Sequence, residues 1–391
     1  MTHTEDRLAA ARAVGRVLRS GAWSNVVTRT EAASSGGEVP VVQGLVFSVL
    51  RHRPLVDSAI EAAAGRGLDR IDRGVLDILR VAVAELVGRR TPPPLVVDGA
   101  VHAVRSVSPR AAGFANAVLR RIASDPPRVT SWTDVGIPEF VDTSLRHILD
   151  PDEVDALWEA SQQAAPVGVR ARVPPDGASP VEGIPDAWLC GDGGNVDGLA
   201  VQDPASVAVG NAVAASPGAR ALDVGAAPGG KTAHLVDQVG PDGWVIAVDV
   251  HRRRVRDAAA RVPAARWVVA DGTALPFRES SFDVVLVDAP CTGLGTLRRR
   301  PELRERVTSE EMARLAATQR SMLEEALRVV VPGGRVVYSV CTITPAETID
   351  VVAGLGAAAP AGLPGRPYGD GWLMAPHLGP TDGMFLAVFD R

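Results

Sequence analysis

The sequence predicts a helical N-terminal domain followed by an α/β domain built on a mostly parallel sheet, and three observations carry that prediction. Residues 1–125 repeat apolar side chains at three- and four-residue steps, with Pro and Gly clusters between the runs and no strand pattern. From residue 219 onward, short apolar runs alternate with helical stretches, the texture of βαβ units. Between the first of those runs and the next helix lies Gly225-Ala226-Ala227-Pro228-Gly229-Gly230-Lys231-Thr232, a glycine loop where a doubly wound sheet takes its ligand.

In the first region, helices are expected at 5–19, 41–51, 55–64, 71–88, 95–106 and 111–123; "DRGVLDILRVAVAELV" is the clearest of them. The stretch "SDPPRVTSW" (124–132) marks a boundary, and 126–199 is expected to be a linker with a small mixed subdomain, including a helix near 152–163. The α/β domain then spans 200–391. Its strands are expected at 220–224, 244–250, 266–270, 283–289 and 334–340, with helices at 231–239, 251–261, 309–330 and 345–354. The final "GMFLAVFD" (383–390) reads as a last, antiparallel edge strand.

Composition narrows the class. No apolar run approaches the roughly 18 residues of a membrane span and the N-terminus lacks a secretory core, so a cytoplasmic protein without a membrane partner is expected. The three cysteines, Cys190, Cys291 and Cys341, are too few for a disulfide framework, and no CxxC or His cluster suggests a metal. The net charge is −5, but residues 1–130 hold 18 Arg against 12 acidic residues, so a basic surplus is local to the helical domain. Lys231 is the only lysine beside 40 arginines, and the two cations are not interchangeable.

The loop fits the phosphate-loop pattern G-x-x-x-x-G-K-[ST] at every specified position, which would make the chain a nucleotide triphosphatase. The next strand argues otherwise. It delivers Asp249 at its C-terminal end, 24 residues after Gly225, where a doubly wound fold sets a carboxylate on ribose hydroxyls. A third strand ends at Asp271, at the same edge, beside the expected place of an adenine. A glycine loop and two such acids describe an adenosine ligand without a phosphate chain, and S-adenosylmethionine (SAM) fits. Gly225, Ala226, Ala227, Pro228, Gly229, Gly230, Lys231, Asp249, Asp271 and Asp288 are the expected cofactor contacts.

The fourth strand ends in "VDAPCTG", with Asp288 and Cys291, and the fifth in "YSVCTITPAE", with Cys341. Two thiols at adjacent strand ends invite one reaction. A thiolate added to carbon 6 of a pyrimidine makes carbon 5 nucleophilic enough to attack a methyl sulfonium. Asp288 can hydrogen-bond N3 and the exocyclic amine of a cytosine, and a second thiol can help break the adduct. The residues alone leave open which thiol attacks. The base must be unstacked to be reached.

"DVGAAPGGKT", "DAPCTGLGTLRRRPEL" and "YSVCTITPAE" resemble the motifs of the Sun/Nop family of RNA cytosine-5 methyltransferases; "VQDPAS" (201–206) and "DGMFLAVF" (382–389) resemble its flanking segments. "QGLVFSVLRHRPLVD", "LDRIDRGVLDILRVAVAEL" and "GFANAVLRRI" resemble a NusB-like RNA-binding domain, a combination that points to the RsmB type. The resemblance implies a Rossmann-like SAM-dependent catalytic domain and 16S small-subunit ribosomal RNA as substrate. It implies Cys341 as nucleophile, Cys291 as the residue that assists adduct release, and Asp288 as the cytosine contact. A tRNA substrate, or a non-catalytic RNA-binding or assembly factor, is the alternative. Gly225 stands where relatives often have cysteine, and Val340-Cys341-Thr342 where Thr-Cys-Ser is common. Cys190 matches no motif and is taken as structural.

"LRRRPELRER" (297–306) places five arginines just after Cys291, and Arg298, Arg299, Arg300 and Arg304 are expected to bind RNA phosphates. "HRRRVR" (251–256) reads as an exposed helix face. RNA is the expected partner and a monomer the expected state.

Overall fold

The computed structural model describes residues 4–88, 91–191, 196–360 and 362–391. The chain divides into two compact units: one runs to Asp142 and takes in Arg299–Arg306, and the other comprises Thr143–Arg298 and Val307–Arg391.

The first unit is helical: α1 (Thr4–Ser20), α2 (Ser24–Ser35), α3 (Val39–Arg51), α4 (Arg53–Ala64), α5 (Arg73–Gly88), α6 (Pro93–Val107) and α7 (Ala112–Ser124). Helix α5 runs through the middle, because its apolar residues cover nearly its whole circumference: Val75, Ile78, Leu79, Val81, Ala82, Val83 and Leu86 are all buried. Its polar residues are paired. Glu85 takes Arg7 at 2.8 Å, and Asp77 lies 3.2 Å from Arg80, which also binds Asp57 at 2.7 Å. Helix α2 has no counterpart among the expected elements. Its sequence, "SNVVTRTEAASS", has a weak apolar stripe, and its first turn is satisfied from far along the chain: Glu302 accepts from Ser24 N at 3.1 Å and Ser24 Oγ at 2.9 Å.

That contact belongs to a correction. The arginine-rich stretch was expected on an open loop, yet Arg299–Arg306 is part of the helical unit's own packing. Arg304 is 1% exposed; its Nη1 donates to Val135 O at 2.6 Å and Arg51 O at 3.2 Å. Burial, then the neighbouring Arg51, pull its pKa down to about 9. Arg304 is therefore a structural clamp that cannot reach a phosphate. Replacing it with Met should cost about 2 kcal/mol, by removing the donor of the buried Val135 carbonyl and of the part-buried Arg51 carbonyl, and should lower the melting midpoint. The salt dependence of RNA binding should not change. Of the other arginines, Arg300 and Arg306 set their guanidinium carbons 5.6 and 4.6 Å from the Trp23 ring centre.

In the second unit, α8 (Glu139–Arg146), which begins before the division, and α9 (Pro151–Gln162) precede a small antiparallel sheet. Its strands are β1 (Val167–Arg170), β2 (Ala178–Pro180), β3 (Ala187–Cys190) and β4 (Ala200–Val201), in the order β2-β3-β1-β4. Cys190 ends β3 there, paired with Val167. Helix α10 (Pro204–Val213) leads into the large sheet: β5 (Arg220–Val224), β6 (Trp244–Asp249), β7 (Arg266–Val269), β8 (Phe282–Asp288), β9 (Val330–Val340), β10 (Arg366–Tyr368), β11 (Gly371–Met374) and β12 (Met384–Asp390). The order is β10-β11-β12-β9-β8-β5-β6-β7. Strands β5 to β9 pair in parallel, and β12, β11 and β10 extend the sheet antiparallel beyond β9. The expected edge strand is thus an inner one. The sequence reading missed the β10–β11 hairpin, whose strands are only three and four residues long.

Helices α11 (Gly230–Val239), α12 (Arg252–Arg261) and α13 (Ser309–Val329) connect the parallel strands. Ala221, Ala247, Val284, Leu286 and Val337 share one core with Val207, Val209, Leu235 and Val239 of α10 and α11. The helix expected over 345–354 is a 3₁₀ turn, Pro345–Glu347, followed by a short helix α14 (Ile349–Val352). The chain order changes direction at β5, with β6 on one side and β8 on the other, so the C-terminal ends of β5, β6 and β8 frame the switch-point crevice of an open α/β sheet.

Candidate functional site

The glycine loop leaves β5 at Val224 and enters α11 at Gly230. Gly225 has φ +82, and a side chain there would put its Cβ 2.2 Å from the Asp288 carbonyl oxygen. Glycine is needed at this position to rest the loop on the end of β8. Gly225 N and Ala226 N donate to Val248 O at 2.8 and 3.0 Å, tying the loop to β6.

Lys231 follows at the start of α11. Its Nζ lies 2.8 Å from Asp288 Oδ2, and Ser339 Oγ donates to Asp288 Oδ1 at 3.3 Å. Burial disfavours the ammonium, but Asp288 outweighs it, with Cys341 and Asp223 acting in the same sense, so the Lys231 pKa is held above its usual value. Thr232 donates its buried hydroxyl to Asp223 Oδ2 at 2.6 Å. Lys231 and Thr232, which in a phosphate loop would serve the terminal phosphates and magnesium, are here both paired with carboxylates.

Asp223 has no exposure, and burial raises its pKa from 3.8 to about 7 despite the Thr232 hydrogen bond; the charge of Asp288 adds to the shift. The native state therefore holds a proton that the unfolded chain releases near pH 4. Stability from this group grows as pH falls from about 7 toward 4, and its full burial cost applies above about 7. Asp223→Asn should remove that dependence. The stability of the variant relative to the wild type should rise from pH 4 to 7 and level off above, by at most about 4 kcal/mol at 1.36 per unit; urea unfolding across that range checks it.

Asp249 ends β6 and is 4% exposed. Its Oδ1 accepts from His251 N at 2.9 Å, and Arg254 Nη1 lies 3.5 Å from Oδ2. Arg254 also donates to Ala227 O, so it links the acid to the loop. It belongs to the "HRRRVR" stretch read as a plain exposed face, and no periodicity could have singled it out. Asp271 is exposed; its Oδ1 accepts from Thr273 N and Oγ1 at 2.9 and 2.8 Å, which hold its pKa low.

The thiols meet. Cys291 follows β8, Cys341 follows β9, and their sulfurs are 3.3 Å apart. The hydrogen bond to Cys341, then burial, push the Cys291 thiol well above its usual pKa. The contact itself leaves open which sulfur donates; Cys341 and burial favour the thiol form of Cys291, while Cys341 acts electrostatically on Lys231. Beneath the pair lies a fully buried carboxylate, Glu347, which the sequence reading did not assign.

Arg298 is buried beside this site: Nε and Nη2 each lie 3.2 Å from Asp382 Oδ1, and Nη2 donates to Thr381 O at 2.6 Å. Like Arg304, it is committed to the interior and corrects the expectation of an RNA contact. The flanking motifs meet here. Asp382 N donates to Asp203 Oδ1 at 3.1 Å, and Asp203 also caps α10 through Ala205 N. Gly383 is required because Gly295 passes against its backbone, with N–H···O at 2.8 Å.

Residues 4–124 match the NusB family, and residues 211–360 match the family described as 16S rRNA methyltransferase RsmB/F. The ribosomal RNA small subunit methyltransferase B of Xanthomonas campestris pv. campestris is 32% identical over 384 residues, covering 87% of this chain and 85% of its own. The chain belongs to the RsmB/F methyltransferase family. The enzyme of the same name from Vibrio cholerae is 28% identical and is matched over 98% of this chain and 97% of its own. The crystal structure of PH0851 shares the fold, with a TM-score of 0.81 at 22% identity over 100% of this chain and 99% of its own. The RsmB/F chain thus joins a NusB-like helical region to a Rossmann-like methyltransferase sheet. Among the described residues, no helix is long and apolar enough to cross a membrane, and no group of His, Cys, Asp or Glu could hold a metal.

Proposed function

We propose that this RsmB/F chain methylates carbon 5 of a cytosine in small-subunit ribosomal RNA, in the cytoplasm, through a covalent adduct between Cys341 and carbon 6 of the base. The observation that carries the reading is the thiol pair, 3.3 Å apart at the ends of adjacent parallel strands, beside the 2.8 Å Lys231–Asp288 pair. The names of the relatives supply the RNA class.

The residues present fit SAM. The loop Gly225–Lys231 would bring backbone to the ligand at the start of α11, Asp249 ends β6, and Asp271 lies two residues past the end of β7. SAM would supply an electrophilic methyl group. Asp288 would accept from the amine of the flipped cytosine and share a proton with its N3, with Lys231 and Ser339 fixing the carboxyl group. The Cys341 thiolate, favoured by the nearby Lys231 cation, forms a bond to carbon 6 and shifts electron density to carbon 5. After carbon 5 takes the methyl group, solvent water takes the carbon 5 proton, the C–H pair re-forms the carbon 5–carbon 6 double bond, and the Cys341–carbon 6 bond breaks with its pair returning to sulfur. Cys291, whose thiol form is favoured and whose sulfur touches Cys341, would assist that release.

The test is methyl transfer from labelled SAM to unmodified 16S RNA and to tRNA by the purified protein, followed by bisulfite sequencing. A protected cytosine in 16S RNA is the expected result. Label only in tRNA moves the substrate class, and no label in either RNA overturns the reading. Exposed Arg300 and half-buried Arg299 remain the phosphate contacts this reading uses.

A further inference from the structure

The motif that supplies Cys341 ends in Glu347, to which the proposed reaction gives no task. The residue closes the 3₁₀ turn Pro345–Glu347 and has no exposure. Its carboxylate gathers donors from both thiol loops. Oε1 accepts from Thr292 N at 2.8 Å and Gln319 Nε2 at 3.1 Å. Oε2 accepts from Thr292 Oγ1 at 2.5 Å, Thr344 Oγ1 at 2.8 Å and Thr342 Oγ1 at 3.2 Å.

The identity of those donors is what matters. Thr292 is the residue directly after Cys291, Thr342 the residue directly after Cys341, and their hydroxyl oxygens are 2.9 Å apart. Gln319 of α13 also donates to Pro290 O at 2.8 Å, on the other side of Cys291. Tyr338 OH donates to the Glu347 carbonyl at 2.9 Å, so the backbone of the turn is pinned to β9 as well. The strand ladder stops at Asp288 and Ser339, short of both cysteines. Beyond it, Gly295 N donates to Cys341 O at 3.1 Å, and the Glu347 carboxylate is bonded to the residues that follow both cysteines. A buried carboxylate satisfied entirely by neutral donors is rigid, because releasing any one of them leaves a polar group unpaired.

We propose that Glu347 is the positioning residue that holds the Cys291 and Cys341 thiols at contact distance. Its consequence for catalysis rests on the proposed thiol-addition reading; the spacing itself does not. The negative charge of Glu347 also helps keep Cys291 protonated, in line with a donor role for that thiol.

The experiment uses the full-length protein and the two thiols as a ruler. Equilibration with oxidised and reduced glutathione converts the two thiols and one oxidised glutathione into a Cys291–Cys341 disulfide and two reduced glutathiones. The midpoint, read by mass spectrometry of the linked peptide, gives the effective concentration of one thiol at the other. Glu347→Gln should lower it about tenfold or more, since one acceptor oxygen becomes a donor facing donors, and Glu347→Asp should recover part of it. Thr292→Val, which removes one hydroxyl from the cluster, should show a smaller loss, and it decides the matter if Glu347→Gln does not fold. Wild-type midpoints in a folded Glu347→Gln, or in Thr292→Val should the first variant be unfolded, overturn the proposal. Methylation by the folded variants should fall in kcat, with KM for SAM and RNA little changed. The ruler contains neither SAM nor RNA, so failure of the covalent mechanism in the methylation assay leaves its result standing, and the reverse also holds.

Discussion

Cys341→Ala is expected to reduce methyl transfer by at least about 10³-fold while leaving SAM affinity near wild type, because it removes the bond that makes carbon 5 reactive. Cys291→Ala is expected to behave differently. Carbon 6 would still be attacked and carbon 5 methylated, but breakdown of the adduct would slow, so a protein–RNA species stable to denaturing electrophoresis should accumulate. The asymmetry has a physical basis in the native state. Cys291 is pushed toward its thiol form by its hydrogen bond to Cys341 and by burial, whereas the sulfur of Cys341 interacts with the Lys231 cation. Thiol–thiol contact at 3.3 Å makes either residue a steric candidate, and the electrostatic coupling of Cys341 to the Lys231 cation favours Cys341. The check is a gel-shift of labelled RNA under denaturing conditions with each single variant and the double variant. An adduct in Cys341→Ala, or full activity there, would show that the thiols are assigned the wrong way round or that no thiol addition occurs.

The strands that build this site were readable because a parallel strand buried on both faces leaves an unbroken apolar run, as "ALDV", "VIAVDV" and "DVVLVDA" do. Their C-terminal residues followed at once, which is why Asp249, Asp288, Cys291 and Cys341 could be placed on one edge of one sheet. What escaped was set by partners distant in sequence. Helix α2 begins at a serine bonded by Glu302, 278 residues away, and its own sequence lacks a strong stripe. Arg298 and Arg304 look like phosphate ligands in any arginine-rich stretch. Only the fold shows that Asp382 and three backbone carbonyls have taken their hydrogen bonds. Glu347 was in view inside a quoted motif, but a lone acid after a turn proline carries no signal of burial. Its role emerges when three threonines and a glutamine converge on it. The β10–β11 hairpin was hidden for a simpler reason: strands of three and four residues are too short to display a period.

The second large effect expected is at Asp288. Asp288→Asn preserves the shape of the side chain but removes the charge that faces Lys231 at 2.8 Å, so two consequences should appear together. The first is catalytic: without the carboxylate, the contact to N3 and the exocyclic amine of cytosine is lost or mispaired, and kcat should drop by about 10²–10³-fold, the usual scale for a positioned acid–base group. The second is electrostatic and needs no RNA. Asp288 is the leading charge that holds Lys231 above its usual pKa against burial, and it also raises the pKa of Asp223. In Asp288→Asn, Lys231 should therefore give up its proton more readily, and while it stays charged the titration of Asp223 should move below about 7. Lys231→Met separates the two. It leaves the carboxylate to meet the base but strips the cation from beside Cys341, so the alkylation rate of Cys341 should rise through its midpoint at higher pH than in the wild type. Should Lys231→Met leave that alkylation profile unmoved, the lysine's only task would be to hold Asp288. In that case the reactivity of Cys341 must come from the surrounding backbone instead.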